Sequence, residues 1–429
     1  MRKALSLDSF YSKLDLIFPL YFGVYFIEFF FGLWHLSTAI KLLCIILSLI
    51  FSLKIVNSTE RGLGTRDIFT FFYAYNIISG IFYCVNDVPI KCYLNELYNS
   101  IPAMFFFYVG LGEKRCGIRF YEKIMLSTSV CMFIGIILYV TTPSWFVERR
   151  IEIANMTSWS GTTYDENSVL SHMRFSSYLI ESYEAQTFAM FALATSLFVF
   201  FKKNYNEKQW FGVSLILINY VAAILTQQRV AMVAATFSVL FYYLYGKIKG
   251  RRKQSKILIH TFTLIVFLAI IVIPIYFGDR AEQLQSSLID RMDNMSVSGA
   301  LQERNYQKAI FDSWTMPITG KGLGSGGAIA GSYGLPHVND AGYYQMLYEI
   351  GIIGSMLFVI LIGRTLIRAI KHMKVYLIEL VIIMFFLVAL LGANILNFGY
   401  MVVVPFWYAI GRVWNIKNYK ETLFYKDYI

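Results

Sequence analysis

The chain is a succession of apolar runs, each about as long as a bilayer core is thick, separated by short segments rich in Lys and Arg. A membrane-crossing helix needs about 20 mostly apolar residues. Runs that approach this length lie at about 14–35, 38–56, 68–88, 97–112, 122–142, 185–201, 210–226, 229–246, 257–277, 342–363, 375–392 and 398–413. Lipid offers the backbone no hydrogen-bonding partner, so only helices and closed barrels cross it, and these runs lack the apolar/polar alternation of barrel strands. The expectation is an all-α, polytopic integral membrane protein with about twelve transmembrane helices, one membrane domain spanning residues 1–429.

Composition closes the alternatives. Of the 429 residues, 57% are apolar and 15% charged, against a charged share of roughly 25% in soluble domains. A soluble fold could not hide that much apolar surface, and disordered chains are poor in it. The net charge of +11 is spread over the loops rather than gathered on one patch, which argues against a nucleic-acid partner and for membrane topology.

With the N-terminus inside, the clusters around Lys54–Arg66, Lys114–Lys123, Lys202–Lys208, Lys247–Lys256, Arg364–Lys374 and Arg412–Lys426 all fall on the cytoplasmic side. The basic excess inside gives an even helix count and two cytoplasmic termini. No cleavable signal is expected, because residues 1–13 are polar and the first apolar run is of full spanning length. The five cysteines include no CxxC pair, so neither a zinc site nor a thiol-redox site is expected. Pairing of Cys84 with Cys92 is left open, two separate thiols being the simpler reading.

Two outside segments are long, at 142–184 and 278–341. Loops of this length are functional or disordered, and these carry aromatics and charges of both signs, so folded, partly helical caps are expected. Most outside charges are Arg, whose planar fork grips phosphate at two points. Arg229 stands between two apolar runs with almost no loop around it, a costly place for a charge and a candidate functional site. For Arg149, Arg150 and Arg280, simple solvation in a loop is the expectation.

The second long loop ends in a glycine-rich turn at 317–327, followed by His337-Val338-Asn339-Asp340 and a helix opening through Glu349-Ile350-Gly351-Ile352-Ile353-Gly354. The GxGxxG match at Gly322, Gly324 and Gly327 has no strand–helix context and is discounted. Bare backbone there permits close approach by a ligand or another segment. His337 has the chemistry of a base near neutral pH, and Asp340 is spaced to orient it. Histidines without cysteines nearby do not suggest a metal.

Taken in order, Arg174-Phe-Ser-Ser, Gln228-Arg229-Val-Ala, Arg304, the Pro317–Gly324 turn, His337-Val-Asn-Asp340 and Glu349-x-Gly-x-x-Gly354 resemble the motif series of the O-antigen ligase/polymerase superfamily, and its polymerases most. The match covers about residues 170–360. It departs from the usual pattern where Val338 separates His337 from Asn339, where Ser177 stands at a position commonly Gly, and where Gln228 replaces a small Ser.

The resemblance implies glycosyl transfer at the periplasmic face of the bacterial cytoplasmic membrane. The donor would be a saccharide on undecaprenyl diphosphate, used without metal or cofactor and with inversion. His337 would be the base, aided by Asp340, and Arg174, Arg229, Arg291 and Arg304 would hold the diphosphate. A polymerase would extend a lipid-linked repeat unit, with a chain-length regulator as partner; a ligase would use the lipid A core. A transporter of the lipid-linked unit is the alternative of a different class, and would need charges along a path through mid-membrane.

Overall fold

The computed structural model describes residues 16–33, 46, 65–84, 88–112, 119–157, 165–166, 169, 174–180, 182–202, 209–248, 250–263, 318–327, 329–335, 342–391 and 400–415. All regular structure among them is helical. Four helices are long and apolar enough to cross a membrane (Arg119–Thr141, Ser182–Phe201, Val230–Ile248 and Gly342–Lys371), and four shorter apolar ones accompany them. The apolar run at 38–56 and the second half of the run at 257–277 lie outside the described residues, apart from helical Ile46 in the first. The chain divides into two compact units.

The first unit comprises Met1–Ser37 and Arg119–Leu301. It holds α1 (Ile17–Phe31), α5 (Arg119–Thr141), α6 (Ser144–Thr157), α7 (Ser182–Lys202), α8 (Gln209–Leu225) and α9 (Arg229–Ile248), with residues 252–263 also helical. α7 is the hub and packs on α5, α8 and α9. Ala185, Ala189, Ala192 and Ala194 are fully buried along it, small side chains that let neighbouring helices approach closely. Asn219 of α8 donates to Ser129 Oγ of α5 at 2.7 Å, both residues being buried, which ties two apolar helices at one polar point. α1 meets α5 and α7 through edge-to-face rings, Phe18 on Phe120 and Phe188 and Phe22 on Phe188.

The second unit comprises Thr38–Ile118 and Gln302–Ile429. It holds α2 (Thr65–Cys84), α3 (Ile90–Met104), α4 (Phe106–Gly112), a 3₁₀ turn (Ala330–Tyr333), α10 (Gly342–Lys371), α11 (Met373–Ala389) and α12 (Tyr400–Val413). The single run expected at 97–112 is two helices that part at Phe105. Pro102, which has no N–H to donate, lies one turn before the break. α4 and α12 cross closely: a Cβ at Gly110 would overlap the Tyr408 carbonyl, and one at Gly411 the Phe107 carbonyl. Phe69 stacks on Phe107 with centroids 4.0 Å apart, and Trp407 closes the cluster edge-on. The Arg412 Nε donates to Glu379 at 2.7 Å, a fully buried ion pair linking α12 to α11. Each charge would be far costlier there without the other.

Candidate functional site

The Arg174 segment is held in place by backbone contacts. Phe175 N–H donates to the Leu225 carbonyl at the end of α8, at 3.3 Å. Gln228 Nε2 donates to Ser182 Oγ at the start of α7, at 3.2 Å. Residues 226–228 turn through Gln227 at φ +53°, and Arg229 then opens α9. The fold therefore brings the Arg-x-x-Ser segment and the Gln-Arg turn, whose arginines are 55 residues apart in sequence, to one end of the first unit. Arg174 is half-buried there. The first N–H groups of α9 have no acceptor within the helix, so the same end suits an anion.

Ser177 has φ +56°, the left-handed region that favours glycine. Its hydroxyl donates to the Cys131 carbonyl of α5 at 2.8 Å. Gly135, one turn along α5, makes room for it: a Cβ at 135 would come within 2.6 Å of Ser177 Cα. The departure from Gly at 177 thus keeps a glycine's backbone and shifts the need for bareness to Gly135.

Arg150 of α6 is buried rather than solvated, contrary to the expectation for a loop arginine. Its guanidinium donates to the Leu179 carbonyl at 2.8 Å and to the Ser177 carbonyl, and lies over the rings of Phe29 and Phe146. Burial, and after it the neighbouring Cys131 thiol, push the Tyr178 phenol above its ordinary value, so this segment carries no tyrosinate. Of the first long segment, residues 144–157 form α6 and residues 174–180 are held against α5, α6 and α8.

In the second unit the glycine-rich segment docks at a break in α10. Gly351 has φ +62° and ψ −166°, which interrupts the helix. Into that gap run three backbone bonds: Lys321 N–H to Tyr348 O at 2.8 Å, Gly322 N–H to Glu349 O at 2.8 Å, and Ile353 N–H to Ile318 O at 3.2 Å. A Cβ on Gly320 would overlap the Glu349 carbonyl, and one on Gly351 the Gly320 nitrogen. Tyr75 of α2 donates to the Thr319 carbonyl at 3.1 Å, and a Cβ on Gly324 would stand 2.6 Å from the Cys92 carbonyl of α3. The turn is therefore fixed on three helices, and the chance GxGxxG pattern makes no dinucleotide loop.

The Glu349 carboxylate is buried and accepts from Gly326 N–H at 3.2 Å and from Gln345 Nε2 at 2.9 Å. Glu96 of α3 is buried as well and abuts Gly327. Beside Glu349 lies a pocket with an empty volume of about 460 Å³, walled by Asn76, Ser100, Leu323 and Trp407 among others. Sequence reasoning placed Glu349 in a motif but gave it no role, because nothing in the sequence shows that its backbone donor, Gly326 N–H, lies 23 residues upstream. Cys92 and Cys131 are buried thiols.

Of the expected site residues, Arg174 and Arg229 lie on segments that meet through Phe175 with Leu225 and Gln228 with Ser182. The backbone of Arg229 is described and its side chain is not. His337, Asp340, Arg291 and Arg304 lie outside the described residues. No group of His, Cys, Asp and Glu suited to a metal occurs among the described residues. No profile of a known protein family matches the chain, and no curated protein matches it. The likeness to O-antigen polymerases and ligases rests on the order and placement of the motifs alone.

Proposed function

We propose that the chain is a polysaccharide polymerase of the cytoplasmic membrane, with about twelve helices, both termini inside, and chemistry at the periplasmic face. The donor is a glycan on undecaprenyl diphosphate and the acceptor a lipid-linked repeat unit, as in O-antigen assembly. A sugar hydroxyl of the acceptor attacks the donor's anomeric carbon. The bond from that carbon to the diphosphate oxygen breaks, undecaprenyl diphosphate leaves, and the hydroxyl proton passes to His337, which Asp340 orients. Arg174 and Arg229, with Arg291 and Arg304, offset the charge that develops on the leaving diphosphate.

One observation carries this reading. Two arginine motifs far apart in sequence are joined at one end of a helical unit, beside the open N-terminus of α9. Such a place suits a doubly charged anion. The left-handed backbone at Ser177 adds weight, since it suits the glycine common at that motif position.

The transporter reading is weaker. It needs carboxylates or cations free to bind along the helices, and Glu379 is committed to Arg412 while Glu349 serves the glycine-rich segment. A ligase would use the same residues on a different acceptor.

The test is the surface polysaccharide of a deletion strain complemented with wild type, Arg174→Ala, Arg229→Ala or His337→Ala, with membrane abundance of each protein measured by blot. A polymerase deletion leaves a single repeat unit on the acceptor, and the three variants fail to restore the ladder. Bare lipid A core with accumulated lipid-linked polymer indicates the ligase. A normal ladder from Arg174→Ala and Arg229→Ala sinks the proposal.

A further inference from the structure

Within the second unit, the end of α10 and the residue after α12 form a basic pocket that glycosyl transfer does not use. It has an empty volume of about 860 Å³ and is lined by Arg364, Ile367, Arg368, Lys371, His372 and Trp414. Trp414 is fixed in place by its indole N–H, which donates to Thr365 Oγ1 at 2.8 Å. The guanidinium carbons of Arg364 and Arg368 lie 5.9 and 4.8 Å from its ring centroid. Two charged forks thus share one aromatic plate, which limits their freedom before any ligand arrives.

Among the described residues, no carboxylate in the pocket offsets these charges. Three side chains there are cations at any physiological pH, and no Asp or Glu lines it among the described residues. Glu379 of α11 is engaged by Arg412. Cations held together without a counter-charge call for an anion, and planar guanidinium forks suit the oxygens of a phosphate.

The surface leading into the pocket narrows the choice. Met356, Val359, Ile360, Ile367 and Ile370 are all exposed on α10. Met356, Ile360, Ile367 and Ile370 are spaced by four, seven and three residues, which puts them on one face of the helix, an apolar stripe that ends beside the cations. An inorganic anion has no use for such a stripe, whereas an acyl chain does.

We propose that this pocket binds the phosphate headgroup of an anionic glycerophospholipid, with an acyl chain lying along the α10 stripe. The Arg364–Lys374 segment is one of the basic clusters expected inside, so the lipid belongs to the cytoplasmic leaflet, where a basic pocket between helices meets anionic headgroups. The inference rests on the membrane reading alone. Its failure leaves glycosyl transfer untouched, and the reverse also holds.

The experiment is native mass spectrometry of the full-length protein, released from non-ionic detergent after equilibration with equal amounts of phosphatidylglycerol and phosphatidylethanolamine. Wild type is expected to retain phosphatidylglycerol several-fold over phosphatidylethanolamine. Arg364→Gln and Lys371→Gln, both at exposed side chains, bring the two lipids to parity with unchanged melting temperature. Ile367→Asn, on the stripe, weakens retention of both lipids. Equal retention by wild type, or an undiminished preference in the two charge variants, overturns the proposal. Full displacement of the lipid by millimolar inorganic phosphate overturns it too, by showing a site for the free anion.

Discussion

Gly135 and Ser177 meet so closely that neither position has room for a larger residue. A methyl group at 135 would collide with the Ser177 backbone, not only with a movable side chain. Gly135→Ala is therefore expected to destabilise the protein by about 1–3 kcal/mol, the usual range for overpacking a tight site. It should also lower polymer yield, because the same clasp sets Arg174. A melting curve in detergent and a polysaccharide gel read the two effects. Arg150→Met leaves the Leu179 and Ser177 carbonyls without their buried donor, and an unmet buried polar group costs about 1–3 kcal/mol. Melting temperature again decides, and an unchanged value would mean that the carbonyls find other partners. His372 gives a pH prediction. Burial first, then Arg368 and Lys371, hold its imidazole below the ordinary value of 6.5. Between that folded value and 6.5 the unfolded chain binds more protons than the folded one. Stability contributed by neutral His372 is therefore present above pH 6.5 and lost as pH falls through the folded value. Titration of the ring resonance by NMR, assigned with His372→Asn, should place its midpoint below 6.5. Part of this scale was legible in the sequence. Arg174 and Arg229 stood out because few charges fall in the segments expected outside. Arg150 did not, since a loop arginine that folds back under its own segment has the same sequence as one in solvent. Ser177 read as a mismatch to a motif, because sequence shows a side chain and not a φ angle.

Helices were the most legible elements, since a run of apolar residues in lipid has almost one conformation open to it. The described helices α1, α2, α5 and α7 to α12 each fall on an expected run. What the runs did not show is where a helix breaks. α10 continues through Gly351 with its ladder interrupted, and the interruption is filled by backbone from 318–322. A long-range pairing of this kind leaves no periodic trace, though the two glycine motifs that make it were each visible alone. Their coupling is testable. Gly320→Ala and Gly351→Ala each add a Cβ that overlaps the backbone of the other segment, at a positive φ that already disfavours it. Each single variant should therefore lose the docked turn, and with it polymer formation, while membrane insertion persists. Limited proteolysis should cut the variants near 318–327 at a protease level that spares wild type. Equal resistance in all three would show that the segment is held by its contacts to α2 and α3 alone. Glu349→Gln keeps an acceptor oxygen for Gly326 N–H and should preserve the turn, whereas Glu349→Leu should not.

At the scale of the whole molecule, the proposed orientation rests on charge. Every segment assigned to the cytoplasm is basic, and the two long segments assigned to the periplasm are not. The translocation machinery retains Lys and Arg near helix ends on the inner side, so the proposed topology predicts both the direction of the first helix and the parity of those that follow. One miscounted helix would reverse every loop downstream of the error, which makes the count open to a simple check. Single cysteines are placed at Ser160 and Ser298 in the two long loops and at Asn204 in the short basic one, in a background lacking the native cysteines. A membrane-impermeant maleimide applied to spheroplasts should label Ser160→Cys and Ser298→Cys at once. Asn204→Cys should react only after the membrane is opened. Labelling of Asn204→Cys from outside would place α7 and α8 in the opposite sense. It would then move the Arg229 turn to the cytoplasm, where a periplasmic polymer could not be made on it. Orientation and chemistry therefore stand or fall together at that turn, since Arg229 opens α9 only a few residues after α8 ends.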